Sequence, residues 1–257
     1  MSQSPSNDRE PLLPTSSTPS SPSTPETVPK GAAQYVPELD MVPTTRDKLS
    51  LFLIFAGVAM FLPLTWYMVF SGDVSAMGWF AVHPPLQSLA ITAFLMGITP
   101  LQPSPPNSKV RQTRLNTHQS AMLGLVLPAF AVGSAAMWWN KHLHGADHFT
   151  TWHGRFGLAT IVWVMIQVMI GAATVWFGGK AFGGQENAKK VYKYHRLSGY
   201  LLVLLALVTA HLAGAHSTWA LGRPGMKDVR VAAFWVGLPL IGLGLVTRSR
   251  PSKMKLV

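Results

Sequence analysis

The 257-residue chain is 48% hydrophobic and 12% charged, with a formal charge of +11 and no cysteine. The lack of cysteine excludes disulfides, iron–sulfur ligation and thioether-attached haem. The charge argues for a nucleic-acid partner only if its placement is ignored, because the apolar residues form long uncharged runs with most of the basic ones between or beyond them.

Residues 1–47 are rich in Ser, Pro and Thr and lack apolar periodicity, so a disordered tail is expected. Within it, Asp8-Arg9-Glu10-Pro11-Leu12-Leu13 is similar to the acidic dileucine signals that sorting adaptors read on the way to vacuoles and lysosomes. An adaptor partner and an endomembrane location are therefore expected, with the plasma membrane as the other location.

Residues 48–248 are expected to form a membrane domain, and 249–257 a basic tail. Six runs are long enough to cross a bilayer: Leu49–Phe70, Trp79–Thr99, His118–Trp139, Trp152–Phe177, Leu197–Trp219 and Val231–Val246. In lipid each must be a helix, since every backbone polar group needs an internal partner. The expected fold class is therefore an all-α membrane protein of six spans, with spans 2–5 as a four-helix core. The first run follows a long polar segment, so it is read as a span and not as a signal peptide. Pro63 predicts a kink in it, and Trp66 and Tyr67 mark an interface.

The second span starts at Val82-His83-Pro84-Pro85, with proline tolerated in a first helical turn. A proline-rich, extended loop over 101–109 leads to the third span, opened by His118 and bounded by Trp138 and Trp139. A polar loop with His142, His144 and His148 follows. The fourth span opens at Trp152-His153-Gly154-Arg155, where Gly154 and Gly157 leave room for a flat macrocycle. The fifth opens at Tyr194-His195-Arg196. Gly237, Gly242 and Gly244 in the sixth suit helix packing. Spans one and six carry no histidine and read as flanking helices.

Only Lys141, Arg155, Arg223, Lys227 and Arg230, five of the 21 basic residues, fall on one side of this arrangement. The positive-inside rule then makes both termini cytosolic.

His83, His118, His153 and His195 are spaced by 35, 35 and 42 residues, each about one span plus one loop. A lone histidine at a span end is most often an interfacial residue. Four of them, one per consecutive antiparallel span, pair by membrane face: His83 with His153 outside, His118 with His195 on the cytosolic side. A bis-histidine pair in a helical bundle suits a haem iron, and two stacked pairs suit electron transfer across the membrane. His211 lies 16 residues beyond His195, about 24 Å along a helix, and is not counted as a ligand.

These residues carry a resemblance over about 49–250. The stretches Val82-His83-Pro84, His118, His148-Phe149-Thr150-Thr151-Trp152-His153-Gly154 and Tyr194-His195-Arg196-Leu197-Ser198-Gly199-Tyr200 resemble the cytochrome b561 family of transmembrane ascorbate-dependent oxidoreductases. The resemblance implies two non-covalent b haems, the outer held by His83 and His153, the inner by His118 and His195. It also implies one-electron transfer from cytosolic ascorbate to monodehydroascorbate or ferric iron, and a homodimer. Lys109, Arg111, Arg114, Lys190, Lys193 and Arg196 are candidates for an anionic donor, and His148 for the outer substrate. The proline-rich loop before the third span lacks the arginine motif associated with the family's ascorbate site, so another donor stays open. The alternatives are a haem-free transporter or scaffold, and a haem-bearing anchor subunit of a larger redox complex. A ferric-reductase-type domain fits less well, since it places two histidines on one helix roughly 13–14 residues apart, and no span here has that spacing.

Overall fold

The computed structural model describes residues 44–250. The dileucine-like stretch lies outside them. Six long helices are apolar enough to cross a bilayer. They are α1 (Thr45–Phe70), α2 (Val74–Leu101), α3 (Ser108–Leu143), α4 (Trp152–Phe182), α5 (Gln185–His216) and α6 (Lys227–Arg248). Among the described residues there is no strand. The fold is all-helical with six candidate spans, as the apolar runs predict.

The bundle is polar inside and apolar outside at several points. Phe52 on α1 is 66% exposed, whereas Gln167 in the middle of α4 is 7% exposed. That inversion suits lipid, which solvates Phe and leaves Gln needing a protein partner.

α1 packs chiefly on α6, α2 on α3 and α4 on α5. Glycine decides the first of these contacts. A Cβ on Gly57 would sit 2.5 Å from the Gly237 carbonyl oxygen, and one on Gly244 2.7 Å from the Ser50 carbonyl oxygen. Gly237 and Gly244 therefore do bring the helix backbones together, while Gly242 faces looser surroundings. The same two helices are clamped at their ends. Thr44 caps α1 in a reciprocal capping box with Asp47. Asp47, almost buried, lies 3.7 Å from Arg248 and 3.3 Å from Arg250, and Arg46 donates to the Thr247 and Ser249 carbonyls. The first helix thus begins three residues before the expected boundary at 48.

Two helices widen into π turns, Met122–Val126 within α3 and Val231–Gly237 within α6. Each is followed by a proline in the next turn, Pro128 and Pro239. Proline has no N–H and crowds the carbonyl four residues back, and a wider turn relieves both. Pro63, by contrast, sits inside an unbroken α1.

Span boundaries differ most from expectation at the termini face. α3 begins at Ser108, capped by Asn107, and α5 at Gln185, so His118 and His195 each stand about ten residues inside a helix. Lys109, Arg111, Arg114, Lys190, Lys193 and Arg196 are consequently helical rather than in loops, and the extended loop is confined to 102–107. Apolar windows find only the lipid-facing part of a helix. The polar turns that continue it into water are set by caps such as Asn107.

Candidate cofactor and substrate sites

The structure brings the four histidines together in the two pairs that alternating span direction predicts. On the face away from the termini, the His83 and His153 ring centres are 5.9 Å apart and their planes cross at 76°. On the termini face, His118 and His195 are 6.4 Å apart at 83°. A metal–imidazole bond is about 2 Å and the ring centre lies ~1.2 Å behind the nitrogen, so two imidazoles on opposite sides of one metal would place their centres about 6.4 Å apart. Both pairs are within about half an ångström of that span.

The outer nitrogens are consistent with it. His83 Nδ1 donates to the Gly133 carbonyl at 2.8 Å, His118 Nδ1 to Gly97 at 3.3 Å, and His153 Nδ1 to Thr209 at 3.0 Å. A carbonyl only accepts, so the ring nitrogen beside it carries the proton. That leaves Nε2 of each unprotonated and able to bind a metal, with the backbone contact orienting the ring. Among the described residues His195 has no such partner; its Nδ1 is buried and makes no hydrogen bond. The donor set and spacing therefore fit a haem at each pair.

The surroundings of the pairs differ. The His118/His195 pair lines a cavity of about 520 Å³. Arg111, Arg114 and Arg196 from the sequence candidates line it too, and so do Lys189, Tyr192 and Gln167, which sequence reasoning did not single out. No carboxylate lines it among the described residues, so the cavity is electropositive. Lys109, Lys190 and Lys193 are not in its lining; Lys190 donates to Asn187 Oδ1, and Lys193 lies over the Tyr194 ring. One signal in the sequence could have found Lys189 and Tyr192. They precede His195 by six and three residues, two turns and one turn back along the same helix, had that helix been extended to Gln185.

At the other face, His148 stacks on Trp138 at 5.4 Å, and His142 stacks on the same indole at 5.5 Å. Gly154 carries no macrocycle-facing gap in this structure: a Cβ there would meet Phe149 Cα at 3.3 Å. At Gly157 a Cβ would make only an ordinary contact, with the Thr209 methyl at 3.8 Å. His211, set aside as a ligand, donates from Nδ1 to the Phe234 carbonyl and packs against His216 and Trp235.

The chain has relatives by sequence. It is 29% identical over 170 residues to proteins from Bos taurus and Mus musculus, each named transmembrane reductase CYB561D2, covering 64% of this chain and 74% of theirs. The family model for eukaryotic cytochrome b561 matches residues 82–221, more than half of the chain and all four histidines. Membership brings transmembrane electron transfer and haem b binding in general, and the haem-free carrier falls away. The chain belongs to the cytochrome b561 family.

Proposed function

We propose that the chain is a transmembrane reductase holding two b haems, one between His83 and His153 and one between His118 and His195. It takes electrons from cytosolic ascorbate and delivers them to monodehydroascorbate or ferric iron on the other side. The observation that carries this reading is the pair of imidazole couples at 5.9 and 6.4 Å, one on the termini side of the bundle and one on the side away from it. A bound b haem supplies a one-electron couple at its iron.

The protein's own part is to bind and orient. His83 and His153 are tied to α3 and α5 backbones and so keep Nε2 aimed between the helices. Arg111, Arg114 and Arg196, with Lys189, supply the positive field that draws an anionic donor to the His118/His195 pair. Arg114 is already held against the Pro103 carbonyl at 2.9 Å, which orients its guanidinium at the cavity. The cytosolic placement of that face rests on its excess of basic residues. On the opposite side the His142–Trp138–His148 stack is the proposed contact for the acceptor.

The visible spectrum of the detergent-purified protein, with haem counted per chain before and after ascorbate, tests the proposal. Two b haems per chain, both reduced by ascorbate, is the expected result. Haem that only dithionite reduces would keep the electron path and replace the donor. Folded protein without haem, made with ample haem supply, would sink the proposal.

A further inference from the structure

Three of the four site histidines are braced alike, each donating from Nδ1 to a backbone carbonyl on a neighbouring helix. Such a contact fixes the ring and raises the basicity of its other nitrogen. His195 departs from the pattern, with Nδ1 buried and without a hydrogen-bond partner among the described residues. α4 offers it something different. Gln167 Nε2 donates to the His195 backbone carbonyl at 2.8 Å, and Gln167 Oε1 is buried without a partner. The Gln167 residue is 7% exposed and lines the same cavity as His195. Its amide cannot be turned round, because Oε1 would then face the carbonyl, acceptor against acceptor. A buried donor and a buried acceptor are left unmatched at one cavity, on residues already tied together.

The packing around them is reciprocal. Gly171 follows Gln167 by one helical turn, and a Cβ there would press on His195 Cε1 at 3.0 Å. Gly199 follows His195 by one turn, and a Cβ there would press on Gln167 Nε2 at 3.2 Å. Each helix thus gives up a side chain to admit the other's functional group. A buried Gln in a membrane helix is costly unless it has work to do at an interface.

We infer that Gln167 is the positioning residue of His195. Its Oε1 accepts a hydrogen bond from a water that in turn accepts from His195 Nδ1–H, in place of the direct carbonyl contact the other three rings have. The inference rests on the reading of His195 as an axial haem ligand. A buried water needs room and at least two polar partners; the cavity supplies the first and these two atoms the second. A contact through water leaves less electron density on the imidazole than a direct one. Gln167 therefore sets the basicity of His195 and, through it, the affinity of the haem on the termini face for its electron.

The test compares the full-length protein with Gln167→Leu and Gln167→Glu, by redox titration of both haems and by the largest g value of each low-spin ferric signal. Both variants give up the Nε2 donor to the His195 carbonyl; leucine also removes the acceptor, while glutamate, close in shape, keeps a carboxyl oxygen as acceptor, so the difference between the two variants reads the acceptor. The expected result is that one of two midpoint potentials rises in Gln167→Leu and falls in Gln167→Glu. Each shift corresponds to about a tenfold change in the redox equilibrium, or about 59 mV for a one-electron couple. The same haem's g value moves in opposite senses, and the other haem is unchanged. Potentials and g values that stay put in Gln167→Glu, or that shift in the same sense in both variants, overturn the inference while leaving two-haem binding intact. A wild-type protein lacking the haem that depends on His195 overturns the inference together with the reading beneath it.

Discussion

The two histidine pairs use the same residue type on alternating helices, yet they are held differently. At the face away from the termini both rings are tied to backbone, at 2.8 and 3.0 Å. At the termini face one tie is longer, 3.3 Å, the other ring has none among the described residues, and the pair lines a cavity of about 520 Å³ with basic walls. Backbone carbonyls in a helix cannot move without breaking the helix, so the first site is fixed by the fold itself. The second has a backbone tie on one ring only among the described residues and borders the cavity. A site that meets a small anionic donor from water benefits from that opening, and a site braced on both rings keeps its geometry.

The comparison predicts its own largest test. His153→Gly and His195→Gly should each cost one of the two haems, seen as a halved absorbance of the reduced protein. Free imidazole should restore the His195→Gly haem better than the His153→Gly one, because His195 lines the cavity of about 520 Å³. Equal rescue at both sites would erase the proposed difference. A smaller effect is expected from Arg111→Gln with Arg114→Gln. The KM for ascorbate should rise about three- to tenfold at low salt, with kcat little changed, and the gap should shrink as salt screens the field. A KM indifferent to both substitutions and to salt would move the donor site elsewhere. The smallest effect is expected behind His153. Thr160 Oγ1 meets Thr209 Oγ1 at 3.3 Å, next to the carbonyl that braces the ring. Thr160→Val should cost about 0.6 kcal/mol, the average for a hydrogen bond between membrane helices, and leave the spectrum alone. A changed spectrum would mean that the brace is less rigid than the backbone argument holds.

The clamp between α1 and α6 lies outside this comparison. Asp47 joins Arg248 and Arg250 across some 200 residues of sequence. Thr44-Thr45-Arg46-Asp47 before an apolar run carries the signature of a capping box, but nothing in it points Asp47 at Arg248 or Arg250. Its role exists only because two helix ends, each set by its own cap, arrive side by side.

The sequence by itself determined the number of spans, the all-helical class, the four histidines and their pairing. These follow from local or periodic facts: lipid demands apolar helices of a minimum length, and antiparallel spans put alternate residues at alternate faces. Only the tertiary structure decided how each ring is braced, which basic residues reach the cavity, and that Lys189, Tyr192 and Gln167 stand beside His195. The first depends on which carbonyl of a neighbouring helix faces the ring. The second depends on helical turns that continue past the apolar run, which a hydropathy window cannot see. Gln167 was hidden for a further reason: a single polar residue in an apolar span reads the same in sequence whether it faces lipid, a packing seam or a site, and only contact with another helix distinguishes them.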